Sequence, residues 1–275
     1  MKPPRILAIG GSDSSGGAGI EADIKTITAL GGYAMTAITA VTAQDTVAIR
    51  AIAPVPPALT ETAIGMVIAD IGVDAVKLGM LGSAAMAAAV ARALAQAASG
   101  VPIVLDPVLA STSGTPLLDD DAIAILLHDL MPMVALITPN RHEAAILSGV
   151  TVTTPADAIA AGRLLCERGA RAVLIKGGHF EGDDLIDHLV SRDHDIAFHQ
   201  RRIATRHTHG TGCTLASAIA LGLGRGLAVP DAIGLAQRFL QQSLRAAPDF
   251  GSGHGPMGHA MARGDLDCRF TVAQT

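Results

Sequence analysis

Aromatic side chains are nearly missing from this chain: 275 residues include no tryptophan, one tyrosine and five phenylalanines. At 2% aromatics, a surface that stacks successive nucleobases is excluded. Basic charge is also scarce. Lysine and arginine total 20 against 25 acidic residues, a net charge of -5 with no long basic run, which excludes nucleic acid as the main partner. Cysteine is limited to Cys166, Cys213 and Cys268. They are odd in number and widely spaced, so they make neither a zinc-type pair nor a disulfide framework. A reducing, cytoplasmic setting is expected. Long apolar runs are absent too. Ile6-Leu7-Ala8-Ile9 is too short for a signal peptide. The longest uncharged stretch, Thr26–Gln44, contains Gly31-Gly32 and several threonines. It reads as a helix end followed by a strand, not as a membrane span.

What is present is an ordinary globular composition, 49% hydrophobic and 16% charged. A chain of this length buries roughly three quarters of its unfolded surface. No Pro- or Ser-rich linker and no fixed-period repeat divides it. Residues 1–275 are therefore expected to form one domain, with a peripheral tail after about residue 258.

Short β-rich apolar runs alternate with longer helical patterns. Strands are expected at Arg5–Gly10, Ala34–Ala43, Ala75–Leu78, Val101–Leu105, Ala135–Ile137 and Ala172–Ile175. Leu185–Val190 and Asp195–Ile203 read as paired edge strands. Helices are expected at Gly19–Leu30, Pro57–Ile71, Ala84–Ala98, Arg141–Ser148, Pro155–Arg168, Thr214–Arg225 and Pro230–Ala246. This alternation predicts an α/β protein, a mostly parallel sheet with helices on both faces. Ligands of such sheets bind beyond the carboxyl ends of the strands. Asp106, Asn140, Lys176 and the segment before Cys213 are all expected there.

The most informative segment is Arg206-His-Thr-His-Gly-Thr-Gly-Cys213, which runs directly into an apolar helix. A glycine turn opening a helix aims backbone N–H groups and the positive end of the dipole at one point. That suits an anion gaining charge in a transition state. Cys213 falls on the first turn, where a thiol pKa is expected to drop from about 8.5 toward neutrality. Phosphoryl transfer follows as a reading. The competing reading is a tight turn and helix start beside a buried cysteine. Gly11-Ser-Asp-Ser-Ser-Gly-Gly-Ala-Gly19 is a second loop that lets backbone approach a ligand closely. Lys176 stands beside a glycine pair and suits a phosphate. Asn140-x-x-Glu143 has the spacing of a helix capping box, and Asp106 could equally be a turn residue before Pro107. Gln44 reads as a surface residue by composition. The histidines 179, 207, 209 and 254 have no convincing metal spacing and read mostly as surface or loop residues.

Several pattern matches are decoys. Gly17-Ala-Gly-Ile-Glu-Ala22 fits a dinucleotide fingerprint, but its glycines come late after the strand and the acidic partner is not clearly placed. No Gly-Lys pair exists, which removes the Walker A loop. Asp249-Phe-Gly251 lacks the catalytic loop of a protein kinase. His142-Glu143 lacks the second histidine of a zinc helix.

Taken in order, Gly11–Asp23, Val41–Gln44, Lys77–Met80, Asp106-Pro-Val108, Ser113-Gly114, Thr138-Pro-Asn140, Glu143, Lys176–His179, Thr208–Cys213 and Gly253–Pro256 resemble the ribokinase superfamily. Within it they most resemble the hydroxymethylpyrimidine/phosphomethylpyrimidine kinases of thiamine biosynthesis. The resemblance implies a three-layer α/β/α sandwich, ATP and Mg2+ as cofactors, an aminopyrimidine substrate and a homodimer. It implies that Asp23 and Gln44 hydrogen-bond the aminopyrimidine, with Gly11, Met80 and Val108 near it. Asn140, Lys176, Gly177 and Thr208 would handle ATP, and Asp106 and Glu143 the metal. Gly210, Thr211 and Gly212 would form the anion hole, and Cys213 would be the catalytic base. Thr112 and Asp45 depart from the pattern, where lysine and asparagine are common. A pyridoxine or pyridoxal kinase of the same fold is the nearest alternative. A non-catalytic vitamin-binding sensor and a dinucleotide oxidoreductase are more distant ones.

Overall fold

A computed structural model describes residues 2–110, 117–179 and 184–262. Thr112 and the Ser113-Gly114 pair lie outside the described residues.

The described residues form one sheet of nine strands: β1 Arg5–Asp13, β2 Tyr33–Gln44, β3 Ile49–Pro54, β4 Ala75–Leu78, β5 Ile103–Leu105, β6 Leu136–Ile137, β7 Ala172–Ile175, β8 Asp184–Ser191 and β9 Asp195–Arg201. Their spatial order is β3-β2-β1-β4-β5-β6-β7-β8-β9. The six strands from β2 to β7 run parallel, while β3 at one edge and β8 and β9 at the other are antiparallel. The helices are α1 Gly19–Ala29, α2 Pro57–Asp70, α3 Ala84–Ala97, α4 Asp120–Ile125, α5 Arg141–Ser148, α6 Pro155–Glu167, α7 Thr211–Gly224 and α8 Val229–Arg245.

Alternation along the strands builds two cores. Successive side chains of a strand point to opposite faces. Leu7 and Ile9 of β1, Val76 and Leu78 of β4, and Ile103 and Leu105 of β5 face a core shared with α2, α3, α5 and α6. Ile6 and Ala8, Ala75, and Val104 face the opposite core, built with α1, α7 and α8. Both faces are therefore covered, which is why these short strands read as continuous apolar runs. This is the three-layer α/β/α arrangement expected from the alternation.

Three features differ from the expectation. Ile49–Pro54 forms a strand, β3, that was not expected, since its side chains are mostly exposed and follow no apolar alternation. Asp119 caps a short helix, α4, through a bond from the Ala122 N–H at 2.8 Å. The segment after Gly258, expected to be peripheral, begins inside the fold. His259 and Ala262 are buried, and His259 Nε2 lies 2.8 Å from Thr214 Oγ1 on α7.

Candidate active site

The parallel strands end on one side of the sheet, and the loops leaving them surround a cavity of about 730 Å³. The loop after β1, the end of β2 and Met80 after β4 wall one part. Asp106 after β5, Asn140 after β6 and Lys176 after β7 line the middle. Leu185, Ile203, Leu240 and Leu244, with Gln200 and Arg202, line the part beneath β8, β9 and α8. This placement is the rule for open α/β sheets.

α7 begins at the cavity. Gly210, its N-cap, has φ +84, and a Cβ there would meet the carbonyl of Gly17. The two glycine-rich loops thus interlock backbone against backbone. The N–H groups of Gly212 and Cys213 lie in the first turn, where no intrahelical carbonyl can reach them. A Cβ on Gly212 would sit 3.1 Å from Asp106 Oδ2 and 3.3 Å from Lys176 Nζ. The helix end, a carboxylate and an ammonium therefore meet within a few ångströms, and only glycine leaves that space open. Thr208 and Thr211 line the same wall.

Lys176 Nζ donates to Asp106 Oδ1 at 2.9 Å and lies 3.8 Å from Glu143 Oε2. Burial opposes its charge, but these two carboxylates raise its pKa and hold it protonated. Asn140 and Glu143 do form the capping box. Asn140 Oδ1 accepts from His142 N and Glu143 N, both at 2.9 Å, and Glu143 Oε2 accepts from Asn140 N at 2.7 Å. The box leaves both residues on the cavity wall, so the structural and ligand-facing readings coexist. Burial, with Asp106 nearby, pushes the Glu143 carboxyl up to about 7.

Gly11, Gln44, Met80 and Val108 line the cavity, and Cys213 lies among them. The thiol itself departs from expectation. Burial, reinforced by Asp23 and Asp106, pushes Cys213 up to about 11, although Lys77 and the Gly19 N–H act against it. Desolvation and like charge outweigh the helix end here.

Asp23 does not line the cavity. It is fully buried, accepting from Lys77 Nζ at 2.8 Å and from Ser217 Oγ at 2.7 Å. Lys77, by contrast, is on the wall although only 1% exposed. Burial would discharge it, but Asp23, Cys213 and Asp106 raise its pKa. Gly177 is also off the wall. Its N–H is taken by Asp187 Oδ1 at 2.7 Å, and it is Gly178 that faces the cavity. Asp45 accepts from Val47 N and Ala48 N, so its departure from the family pattern serves a turn.

Among the wall residues given no role by the sequence reading are Asp13, Lys77, Asp187 and His209. His209 is buried rather than exposed, and its Nε2 lies 2.8 Å from Asp13 Oδ2 and 3.2 Å from Gln44 Nε2. Lys77 had a legible signal, a lone charge in the apolar strand Ala75-Val-Lys-Leu78, since lysine is rarely buried unless paired. Asp13 and His209 meet through loops 196 residues apart in the chain, and Asp187 is held by Gly177 N and by Gln237 on α8, so none of the three had a local signal.

Residues 13–258 match the phosphomethylpyrimidine kinase family. The chain belongs to that family. It is thereby an ATP-using small-molecule kinase. It is 43% identical over 258 residues to the hydroxymethylpyrimidine/phosphomethylpyrimidine kinase of Mycobacterium tuberculosis, covering 94% of each chain. It is 42% identical over 264 residues to a bifunctional thiamine biosynthesis protein of Geobacter sulfurreducens, where it covers 95% of its own length but 53% of that relative. Among solved structures, an ADP complex of Bacillus subtilis pyridoxal kinase superposes with a TM-score of 0.87 at 31% identity, covering 95% of this kinase and 99% of that chain.

Proposed function

We propose that this kinase phosphorylates the hydroxymethyl group of 4-amino-5-hydroxymethyl-2-methylpyrimidine and then the resulting monophosphate, in thiamine biosynthesis. The observation that carries the reading is the meeting of Gly212, Asp106 and Lys176 beside Cys213. Phosphoryl transfer needs positioning and charge stabilisation more than covalent chemistry. The α7 N-terminus and Lys176 would neutralise charge developing on the transferred group. Cys213 would take the hydroxyl proton. Asn140, Thr208 and Gly178 would bind the nucleotide phosphates, with Leu185, Ile203, Leu240 and Leu244 enclosing the base. Gln44 would read the aminopyrimidine edge.

The residues fit a magnesium ion shared with phosphate. Asp106 keeps Oδ2 beside the helix end while Oδ1 takes Lys176, and Glu143 stands next to it. No group of three or more histidine, cysteine or carboxylate ligands exists among the described residues. Magnesium needs no such cage, as it takes one or two carboxylates and completes its shell with phosphates and water. Bound there, it would offset phosphate charge.

Residues 1–275 would act as one catalytic unit on the continuous sheet. A homodimer is supported by apolar residues left exposed at one sheet edge: Ile38 and Val41 on β2, Ile52 on β3, and Leu59 and Met66 on α2. Thr60 Oγ1, bonded to Ile38 O at 2.7 Å, joins α2 to that edge. Light scattering in solution tests it. A cytoplasmic setting fits the free thiols Cys166 and Cys213, and no helix among the described residues is long and apolar enough to cross a membrane.

The second reading, a pyridoxal kinase, rests on the Bacillus subtilis likeness. A substrate panel with ATP, scored for mono- and diphosphates by mass spectrometry, separates the two. Higher kcat/KM for the aminopyrimidine than for pyridoxine is expected, with Gln44→Leu narrowing the gap, because a site built to hydrogen-bond a group rejects an analogue lacking it. Equal or better use of pyridoxine by the unmodified protein overturns the assignment.

A further inference from the structure

The hydrogen bonds around His209 give a role to two residues the proposed chemistry leaves unused. Asp13 and His209 are both at least nine-tenths buried. Asp13 accepts from Ser15 N at 2.8 Å, Ser15 Oγ at 2.9 Å and Ala18 N at 2.8 Å. Burial opposes its charge, but bonds from His209, Ser15 and Ala18 bring it down to about 2. It is a carboxylate and can only accept. His209 Nε2, 2.8 Å from Asp13 Oδ2, must therefore carry a proton, in the neutral and the cationic ring alike.

A protonated Nε2 has no lone pair for the NH2 group of Gln44, yet the two nitrogens lie 3.2 Å apart. The other end of the amide shows the same mismatch. Thr42 Oγ1 is 2.9 Å from Ser12 O and 3.3 Å from Gln44 Oε1. Its single proton goes to the shorter contact, which leaves a lone pair facing the amide oxygen. The oxygen and nitrogen of an amide are told apart only by their partners. Exchanging them resolves both ends at once: Oε1 shares the His209 proton, and Nε2 donates to Thr42.

We propose that Asp13 and His209 form a positioning dyad that, with Thr42, holds the Gln44 amide with its oxygen toward His209 and its NH2 toward Thr42. One lone pair of Oε1 and one hydrogen of Nε2 then remain for a ligand. The wall becomes a directed acceptor–donor pair. It takes an edge bearing an amino donor next to a ring-nitrogen acceptor in a single sense, amino group on the His209 side. That last step rests on the aminopyrimidine reading above, whereas the dyad does not.

The test begins with the unmodified protein labelled with 15N-histidine. A long-range proton–nitrogen correlation reads the protonation of each ring nitrogen, and loss of one pattern in His209→Phe assigns the residue. A protonated Nε2 is expected, and an unprotonated one overturns the dyad. In kinetics, His209→Phe keeps a ring but loses the donor. It is expected to raise KM for the aminopyrimidine alcohol by about tenfold or more while KM for ATP stays unchanged. His209→Gln, which restores an N–H, should recover part of the loss. Equal rises in both KM values, or no rescue, mark a ring that only fills space and overturn the proposal. If the unmodified protein leaves the aminopyrimidine unphosphorylated, the functional reading fails, and the nitrogen spectra still decide the dyad.

Discussion

Replacing Cys213 by alanine removes a thiol from the cavity wall at the α7 N-terminus, and the structure sets what that should do. With the thiol pushed up to about 11, about one molecule in a thousand carries a thiolate at pH 8, and forming it in advance costs about 4 kcal/mol at about 1.36 kcal/mol per pH unit. A base populated to that degree makes kcat climb about tenfold per pH unit between pH 7 and 10. Cys213→Ala should lose on the order of 10²- to 10⁴-fold in kcat at pH 8, the range for general-base removal. Its remaining activity, carried by Lys176 and the helix end, should show no such climb. KM for ATP should be unchanged. The assay is ADP release at saturating ATP and aminopyrimidine across that pH range, for both proteins. Turnover of the alanine variant within about threefold of the parent, or an equal slope against pH, would refute the assignment of Cys213 as the base.

Other consequences follow from the same cluster and its surroundings. Lys77→Met should lower stability by about 3–5 kcal/mol, because it strands a buried Asp23 carboxylate. Adding Asp23→Leu should recover stability in a urea titration without restoring turnover. Lys176→Ala should raise KM for ATP and the magnesium requirement, since Asp106 and Glu143 lose their shared ammonium. Unchanged values would make Lys176 purely structural. His259 is buried and held down to about 4, so the unfolded chain binds more protons than the folded one between pH 6.5 and 4. Its contribution is whole above pH 6.5 and is lost as pH falls toward 4, by on the order of 3 kcal/mol. Melting temperature should drop over that window in the parent and drop less in His259→Gln.

Much of this protein was legible in its sequence because the signals were local. Alternating apolar runs and helical stretches predicted the layered α/β fold, since a parallel strand and its crossover helix are neighbours in the chain. Gly210-Thr-Gly-Cys213 predicted a glycine turn opening a helix, because a helix start needs only a few consecutive residues. The ordered motifs from Gly11 to Cys213 pointed to the family. Ile49–Pro54 escaped because an exposed edge strand carries no burial pattern to read.

The tertiary structure decided what depends on partners distant in the chain. A thiol at a helix N-terminus is expected to ionise easily. Packing Cys213 among Asp23, Asp106 and the protein interior reverses the direction, because desolvation depends on everything nearby. Asp23 resembled a substrate contact, but Lys77 on β4 and Ser217 on α7 hold both its oxygens. His209 resembled a loop histidine until the first glycine loop placed Asp13 against it, 196 positions away in the chain. Local spacing selects the elements, and only their packing sets which charges meet and in which protonation state.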